Sequence, residues 1–303
     1  MTATLKRLGD LAWQNAYLLL TITTLSWAGN AVASKAAVGE VSPFLLTMLR
    51  WIIVAAIILA IAWKDLVAAW PTLRARLLYV FAMGGIGFTA FNASFYVAAH
   101  YTTAINIGII QGAMPVFVLV GTFLVFGTRI GVLQAVGVLV TLAGVIVVAA
   151  AGDVERLANL VLNSGDVIML VGTTFYAGYA VYLRQKPDTP GLAFFGAIAF
   201  AALIATVPLV GYEAVAGSFQ WPTLKGWLLL IYVSIFPSLI SQIFFIRGVE
   251  LIGSGRAGVF INLVPVFAAI LAVIILGEPM ATYHVVALAL VLGGIWLAER
   301  GKA

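Results

Sequence analysis

The sequence lacks cysteine altogether and has only two histidines and few charged residues. Without cysteine, the chain can form neither a disulfide framework nor a thiolate metal site. His100 and His284 stand far apart, outside any HExxH motif, so we expect no metal centre and no other cofactor. Charged residues make up 9% of the 303 residues, whereas soluble proteins carry about 25%. This scarcity of charge excludes a water-soluble protein of ordinary composition.

Hydrophobic residues make up 63% of the chain and fall into ten long runs. Each run approaches the roughly 20 residues that an α-helix needs to cross a bilayer. The sequence therefore predicts an all-α integral membrane protein with ten transmembrane helices and no soluble domain. The longest connection is expected at residues 64–76. The predicted helices cover residues 17–36, 43–63, 77–98, 101–126, 130–150, 165–184, 192–212, 225–246, 255–276 and 281–298.

Basic residues lie mostly on one side of the predicted helices. With a cytoplasmic N-terminus, twelve lie on the inner side and three on the outer side, and Arg50 lies inside a helix. The positive-inside rule therefore predicts that both termini are cytoplasmic. This topology also accounts for the net charge of +5, so we expect no nucleic-acid partner. The inner group is Lys6, Arg7, Lys64, Arg74, Arg76, Arg129, Arg184, Lys186, Arg247, Arg256, Arg300 and Lys302, and the outer group is Lys35, Arg156 and Lys225.

One stretch of the sequence occurs twice. Residues 104–127 and residues 254–277 align without gaps at an offset of 150. Shorter matches extend the repeat, so the sequence predicts two five-helix halves, residues 1–150 and residues 151–303. Because five is odd, the second half enters the membrane from the opposite side, which predicts an inverted-topology repeat. The matched residues are Gly108 with Gly258, Pro115-Val116-Phe117 with Pro265-Val266-Phe267, and Gly127 with Gly277.

The repeated proline lies in the middle of a predicted transmembrane helix in each half. A proline there removes one backbone hydrogen bond, and in hydrocarbon the freed carbonyl must face protein or a wet cavity. Gln111 and Asn262 place an amide side chain near each proline. Broken helices with polar groups, repeated in both halves, indicate a binding site at the interface of the repeats. The alternative is two kinked helices that only pack together.

Polar and aromatic residues follow a helical spacing on several other predicted helices. Such spacing places side chains on one face, and an unpaired amide in hydrocarbon is costly. We therefore expect these faces to line a central cavity, with interhelical hydrogen bonding as the alternative for each residue. Helices 2, 5, 7 and 10 are less polar and are expected at the periphery. The predicted substrate-binding residues are Trp27, Asn30, Asn92, Tyr96, Gln111, Pro115, Tyr176, Tyr179, Ser238, Gln242, Asn262 and Pro265.

Two charged residues are assigned to gating or structure. Arg50 lies inside predicted helix 2, where a charge is a functional candidate. The alternative is a structural ion pair with Glu40 or Glu278. Glu278 follows predicted helix 9 and is expected to act as a gate or a cap. Its counterpart in the first half is Thr128, so this acidic position occurs only once.

Several short motifs carry a resemblance to a known superfamily. They are WAGN at residues 27–30, Pro-Val-Phe in helices 4 and 9, and LGEP at residues 276–279. With its two five-helix halves, the chain resembles the drug/metabolite transporter superfamily, EamA type, and is similar to the bacterial YddG amino-acid exporters. The resemblance implies a bacterial inner-membrane protein that exports amino acids or related small metabolites through a central cavity.

Neutral or aromatic amino acids are the expected substrates. Aromatic faces can hold an ammonium group, and side-chain amides can donate to a carboxylate. A sugar phosphate fits poorly because no lysine or arginine lies near the predicted midplane, and an organic cation lacks a buried carboxylate. We expect alternating access by a monomer in the lipid bilayer, with a small-molecule substrate and no enzymatic activity. The alternatives are a multidrug or organic-cation exporter and a channel-like facilitator.

Overall fold

The structure, a computed structural model, describes residues 12–153, 155 and 162–301, without the side chains of residues 254 and 255. Within these residues every regular element is a helix, and ten helices are long and apolar enough to cross a membrane. The predicted all-α architecture with ten spans is therefore confirmed. The spans are α1 Ala16–Ala36, α2 Pro43–Arg74, α3 Leu77–Tyr101, α4 Ala104–Phe126, α5 Val132–Ala149, α6 Ser164–Gln185, α7 Gly191–Val215, α8 Leu224–Ile252, α9 Arg256–Leu276 and α10 Thr282–Arg300.

Contacts between helix ends fall into two groups, one on each side of the helix bundle. On the side where α1 begins, the Tyr79 hydroxyl donates to the Tyr182 carbonyl oxygen at 2.8 Å. On the side where α1 ends, Asn163 Nδ2 donates to the Tyr101 carbonyl oxygen at 3.1 Å. We call these the N-side and the far side. Four basic residues used for the orientation lie outside the described residues, namely Lys6, Arg7, Arg156 and Lys302.

The second span is longer than the sequence predicts. The connection expected at residues 64–76 is wrong, because the helix continues to Arg74. Its backbone leaves helical geometry at Ala62, with φ −125° and ψ 20°. The segment beyond this kink carries Lys64 and Asp65, so a hydropathy-based reading ended the helix too early.

The repeated prolines coincide with breaks in α4 and α9. The first helical segment of α4 ends at Gly112 and the next begins at Met114. In α9, the segments Ser254–Ile261 and Val264–Leu271 are separated in the same way. Each proline therefore lies in the first turn of a new segment, where its missing N–H costs nothing.

The two repeated glycines after these spans share one conformation. Gly127 follows α4 with φ 65° and ψ 21°, and Gly277 follows α9 with φ 67° and ψ 22°. This left-handed geometry favours glycine at a helix C-terminus. The repeat in sequence thus corresponds to a repeat in local backbone structure.

Three spans also contain π-helical segments that the sequence did not indicate. They are Met83–Ala90 in α3, Ser234–Ile240 in α8 and Ala272–Leu276 in α9. The segment in α8 contains Pro237. Such segments widen the helix locally and often occur at functional sites.

The helices pack in pairs that combine the two halves of the chain. The main pairs are α1 with α8, α2 with α7, α3 with α6, α4 with α9, and α5 with α10. Further packing joins α1 with α9 and α4 with α6. When each helix is exchanged for its counterpart five positions away, this set of pairs is unchanged.

Glycines bring α5 and α10 close together at two points. A Cβ atom on Gly137 would lie 2.4 Å from the carbonyl oxygen of Gly294. A Cβ atom on Gly144 would lie 2.9 Å from the carbonyl oxygen of Ala287. At the repeat offset of 150, Gly137 corresponds to Ala287 and Gly144 to Gly294. The two approaches therefore exchange when the halves are exchanged, and both use small residues as membrane helix pairs commonly do.

Candidate functional site

Arg50 on α2 lies at the centre of a buried hydrogen-bonded cluster. Its Nε donates to Ser238 Oγ at 2.7 Å, and its Nη1 donates to Asn92 Oδ1 at 2.7 Å and to the Tyr96 hydroxyl oxygen at 2.6 Å. The Tyr96 hydroxyl donates to Asn30 Oδ1 at 3.4 Å. Arg50 is only 6% exposed and Tyr96 only 2%. These five residues, which we call the Arg50 cluster, bring four predicted binding residues together on α1, α3 and α8.

The π-helical segments orient two members of the Arg50 cluster. Asn92 Nδ2 donates to the Phe88 carbonyl oxygen at 2.7 Å, within the π-segment of α3. Ser238 Oγ donates to the Val233 carbonyl oxygen at 2.6 Å, at the start of the π-segment of α8. Because the amide nitrogen of Asn92 and the hydroxyl hydrogen of Ser238 are directed to the backbone, both side chains present an oxygen to the guanidinium. These additional hydrogen bonds to the backbone hold the two polar side chains in one orientation.

The ion pair considered for Arg50 is wrong. Within the described residues, its hydrogen bonds go only to neutral side chains. Glu40 instead pairs with Lys225 at 3.2 Å and accepts a short hydrogen bond from the Thr223 hydroxyl. The Thr223 hydrogen bond, followed by that from Lys225, holds the pKa of the exposed Glu40 carboxyl below its usual value. A similar depth in the predicted membrane is therefore not sufficient to identify the partner of Arg50.

Glu278 caps the beginning of α4 on the far side. Its Oε1 accepts from the Ala104 backbone N–H at 2.8 Å and its Oε2 from that of Ile105 at 3.1 Å. A carboxylate satisfies unpaired N–H groups at a helix N-terminus and interacts favourably with the helix dipole. Of the two roles expected for Glu278, the geometry shows the cap.

Glu213 caps α2 in the same manner and was not identified from the sequence. Its carboxylate accepts from the Phe44 N–H at 2.7 Å, the Leu45 N–H at 3.0 Å and the Ser42 hydroxyl at 2.8 Å. Glu213 is 2% exposed near the end of α7. A buried acid inside an apolar span is the signal that could have identified it.

An aromatic cluster lies beside the Arg50 cluster. Trp51 and Phe88 stack with ring centroids 4.8 Å apart, and Tyr179 lies 5.1 Å from Phe88. Tyr176 extends this group at 5.3 Å from Tyr179. The guanidinium carbon of Arg50 lies 5.6 Å from the centroid of the Trp51 ring. The predicted binding residues Tyr176 and Tyr179 thus belong to the aromatic cluster. This cluster reaches Arg50 through Trp51 and Phe88, two residues that the sequence analysis did not single out.

The amide residues at the two helix breaks have unused acceptors. Gln111 Oε1 and Asn262 Oδ1 are buried and have no hydrogen-bond partner in the described part of the chain. The crossing of α4 and α9 lies nearby, because a Cβ atom on Gly112 would approach Pro265 Cγ to 2.7 Å. Unsatisfied buried oxygens are uncommon, so each of these two acceptors is free to bind a donor that reaches it.

The remaining predicted residues lie outside the Arg50 cluster's hydrogen bonds. Trp27 Nε1 donates to the Pro237 carbonyl oxygen at 3.1 Å, so this indole binds the π-segment of α8. Gln242 is half-buried, and its side chain makes no hydrogen bond among residues 12–153 and 162–301. Pro115 is half-buried in the first turn of the second α4 segment.

A second polar network lies on the far side and was also missed. Asp166 accepts from the Thr102 hydroxyl and from Asn106 Nδ2, the latter at 3.1 Å. Asn106 Oδ1 lies 3.1 Å from His284 Nε2, while His284 Nδ1 accepts from the Ala281 N–H at 2.9 Å. The Nδ1 bond assigns the hydrogen of the neutral ring to Nε2, which then donates to Asn106. This network joins α3, α4, α6 and α10.

The two ends of α4 differ in packing. In the far-side segment Ala104–Gly112 nearly every residue is buried, whereas in Met114–Phe126 only Val116 is buried. A Cβ atom on Gly108 would meet Ala268 Cβ at 2.4 Å, but one on Gly258 would meet nothing within 4 Å in the described structure. The crossing is therefore tight towards the far side and loose at the repeat-related position towards the N-side.

Comparison with known proteins assigns the family. Residues 14–150 and residues 163–299 each match the EamA-like transporter family. The chain belongs to this family. The two matches cover both halves, so this EamA-like chain is a multi-pass membrane transporter whose halves are each related to the same family unit.

Individual relatives match nearly the whole chain. An uncharacterized transporter of Archaeoglobus fulgidus is 28% identical over 290 residues, which cover 93% of this chain and 96% of the relative. The uncharacterized transporter YyaM of Bacillus subtilis is 25% identical over 290 residues, covering 94% and 93%. The uncharacterized inner membrane transporter YedA of Escherichia coli K12 is 25% identical over 299 residues, covering 96% and 88%. One protein crystal structure, 20% identical, shares the fold with a TM-score of 0.63 over 93% of this chain and 96% of that chain.

Proposed function

We propose that this EamA-like transporter exports small metabolites, with neutral and aromatic amino acids as substrates, by alternating access. Its expected location is a bacterial inner membrane with both termini in the cytoplasm, where it would act as a monomer. The observation that carries the proposal is the pair of buried, unpartnered oxygens on Gln111 and Asn262. An acceptor at each helix break suits the ammonium group of an amino acid, which offers three N–H donors.

The arrangement of the halves supports alternating access around these breaks. Helix pairs and close approaches exchange when the halves are exchanged, which is the pattern of an inverted-topology repeat. In such a transporter the tight and the loose crossing of α4 and α9 would change places during the cycle. The far-side network would then open while the N-side closes.

Counterflow in proteoliposomes tests the proposal. The purified full-length protein is reconstituted, loaded with unlabelled L-phenylalanine or L-leucine, and supplied with the labelled amino acid outside. We expect saturable, transient accumulation that Gln111→Ala and Asn262→Ala greatly reduce. Gln185→Ala is the matched control, because Gln185 is an exposed amide at the end of α6.

The alternatives give different results in the same assay. An organic-cation exporter would accumulate a labelled cation but no amino acid, and a channel-like facilitator would show uptake without saturation or counterflow. Either result would overturn the amino-acid carrier.

A further inference from the structure

The guanidinium of Arg50 has two hydrogen-bond donors left over. Arginine carries five N–H donors, one on Nε and two on each Nη atom. The bonds to Ser238, Asn92 and Tyr96 use Nε and both hydrogens of Nη1. In the described structure Nη2 makes no hydrogen bond. One edge of the guanidinium thus remains unoccupied.

The positive charge of Arg50 also lacks a counter-ion. Arginine stays protonated inside proteins, and a buried charge without an opposite charge is costly. Within the described residues no carboxylate lies within ion-pairing distance of the guanidinium. The acidic side chains of the far side are engaged elsewhere: Glu213 and Glu278 cap helices, and Asp166 binds Thr102 and Asn106.

A second donor without an acceptor lies on the neighbouring residue. Trp51 Nε1 is buried and unpartnered among the described residues. Its ring centroid is 5.6 Å from the guanidinium carbon of Arg50. Two donor groups and one uncompensated positive charge therefore occur together, at the border between the Arg50 cluster and the aromatic cluster.

We propose that Arg50 Nη2 binds the carboxylate group of the transported solute. One guanidinium among neutral partners matches a single negative charge, whereas a dianionic phosphate would leave one charge uncompensated. Arg–carboxylate bonds are charge-assisted and stronger than bonds between neutral groups. The proposal deepens the transport function and rests on it, because it assigns the anion contact to Arg50 rather than to side-chain amides.

The aromatic cluster adds a requirement on the rest of the solute. The stacked rings of Trp51 and Phe88 lie next to the anion position, where they are buried among other apolar side chains. The preferred solute is therefore a small monocarboxylate with an apolar or aromatic side chain. A molecule with the same side chain and an amide in place of the carboxylate should be excluded.

Three probes that share a phenyl ring separate the contributions. They are L-phenylalanine, phenylacetate and L-phenylalaninamide, tested by ligand-induced thermal stabilisation of the purified full-length protein and by competition in counterflow. We expect the two carboxylates to bind wild-type protein about 30-fold or more tightly than the amide, which is the effect of one hydrogen bond to a charged group. In Arg50→Gln this preference should fall to about one, again because the charged donor is lost.

Two further variants control the result. Arg74→Gln makes the same substitution at the other end of α2, where Arg74 is exposed, and should keep the wild-type preference. Arg50→Lys keeps the charge and should retain part of the preference. If Arg50→Gln does not fold, the acid-to-amide ratios of wild type and Arg50→Lys still decide the question.

Failure of this proposal is distinguishable from failure of the transport function. Equal binding of acid and amide by wild type, or a carboxylate preference that survives in Arg50→Gln, overturns the role of Arg50. Absence of amino-acid counterflow overturns the proposed substrate class instead. In that event the Arg50 proposal stands if phenylacetate stabilises wild type but not Arg50→Gln, and is overturned if neither carboxylate does so.

Discussion

The two ends of the α4–α9 helix pair have related sequences but differ in packing. Towards the far side, Gly108 lies against Ala268, and Glu278 caps the first N–H groups of α4. At the related position, Gly258 has open space, and the helical segment beginning at Ser254 has no side-chain cap. The same helix–break–helix unit can therefore be tightly packed at one end while its repeat is loose at the other.

The difference rests partly on one acidic residue. Thr128 occupies the position in the first half that Glu278 occupies in the second. Its hydroxyl oxygen is buried without a partner in the part of the chain that the structure describes. Closing the N-side would bring a hydroxyl, rather than a carboxylate, to the uncapped end of α9. Under the proposed alternating access, this asymmetry in sequence would favour closure of the far side.

Gly108→Val should lower the stability of the protein more than any other substitution considered. Gly258→Val is its matched control. The first places a side chain against Ala268, and overpacking of this kind costs about 1–3 kcal/mol. The second enters open space and should alter the melting temperature little. Because the chain has no cysteine, thiol labelling of single-cysteine variants can report opening of the far side. Equal effects of the two substitutions would contradict the asymmetry.

Asn106→Leu should have the next largest effect. It removes the link between Asp166 and His284, leaving buried polar groups unsatisfied at a cost of about 1–3 kcal/mol. The far side should become more accessible to a thiol reagent. Thr174→Val serves as the control, because among the described residues the Thr174 hydroxyl bonds only to the Leu170 carbonyl oxygen of its own helix. Unchanged labelling of Asn106→Leu would exclude a closing role for the network.

Substitutions at positions 278 and 128 should shift the equilibrium between the two orientations of the transporter by a smaller amount. Glu278→Gln weakens the cap of α4 by about 1 kcal/mol and should increase far-side labelling. Thr128→Glu supplies a carboxylate to the other crossing and should increase closure of the N-side. The pair is measured by labelling a cysteine introduced at Leu119, a half-buried residue of the second α4 segment. Because both substitutions favour the state with the N-side closed, both should lower the labelling of this N-side residue. Shifts in opposite directions would refute the inferred role of position 278.

Glu40→Gln should have the smallest effect. Hydrogen bonds from Thr223 and Lys225 lower the pKa of this exposed carboxyl in the folded protein. Its stabilisation is therefore present above the unfolded-state pKa and is lost as pH falls through the lower folded-state pKa. The melting temperatures of wild type and Glu40→Gln should converge on acidification. A difference that grows at low pH would contradict this assignment.

Local features of the fold could be predicted from the sequence, because hydrophobic length and proline act within one helix. The ten spans, the breaks at Pro115 and Pro265 and the repeated Gly127 and Gly277 belong to this group. The end of α2 was wrong, because a further helical stretch that carries Lys64 and Asp65 follows the kink at Ala62.

Features that depend on distant contacts could not be predicted in the same way. Glu213 caps a helix that begins about 170 residues earlier, and no local pattern indicates this pairing. The placement of α2 at the periphery was wrong at one point, since Arg50 is buried and binds Ser238 on the neighbouring helix α8. Interhelical hydrogen bonding and binding were posed as alternatives for each polar residue. In the Arg50 cluster, the guanidinium forms interhelical hydrogen bonds and still has two N–H donors without a partner among the described residues. The two alternatives are therefore compatible at this residue.

The unpaired charge of Arg50 has an electrical consequence. A membrane potential of 100 mV acts on a charge that crosses the full field with about 2.3 kcal/mol. If the guanidinium changes its depth by about a tenth of that field, the empty carrier gains or loses about 0.2 kcal/mol between its two orientations. A zwitterionic solute adds no net charge to this movement. In the proposed transport cycle, voltage would then bias which orientation the empty protein adopts, even though each completed cycle would transfer no net charge.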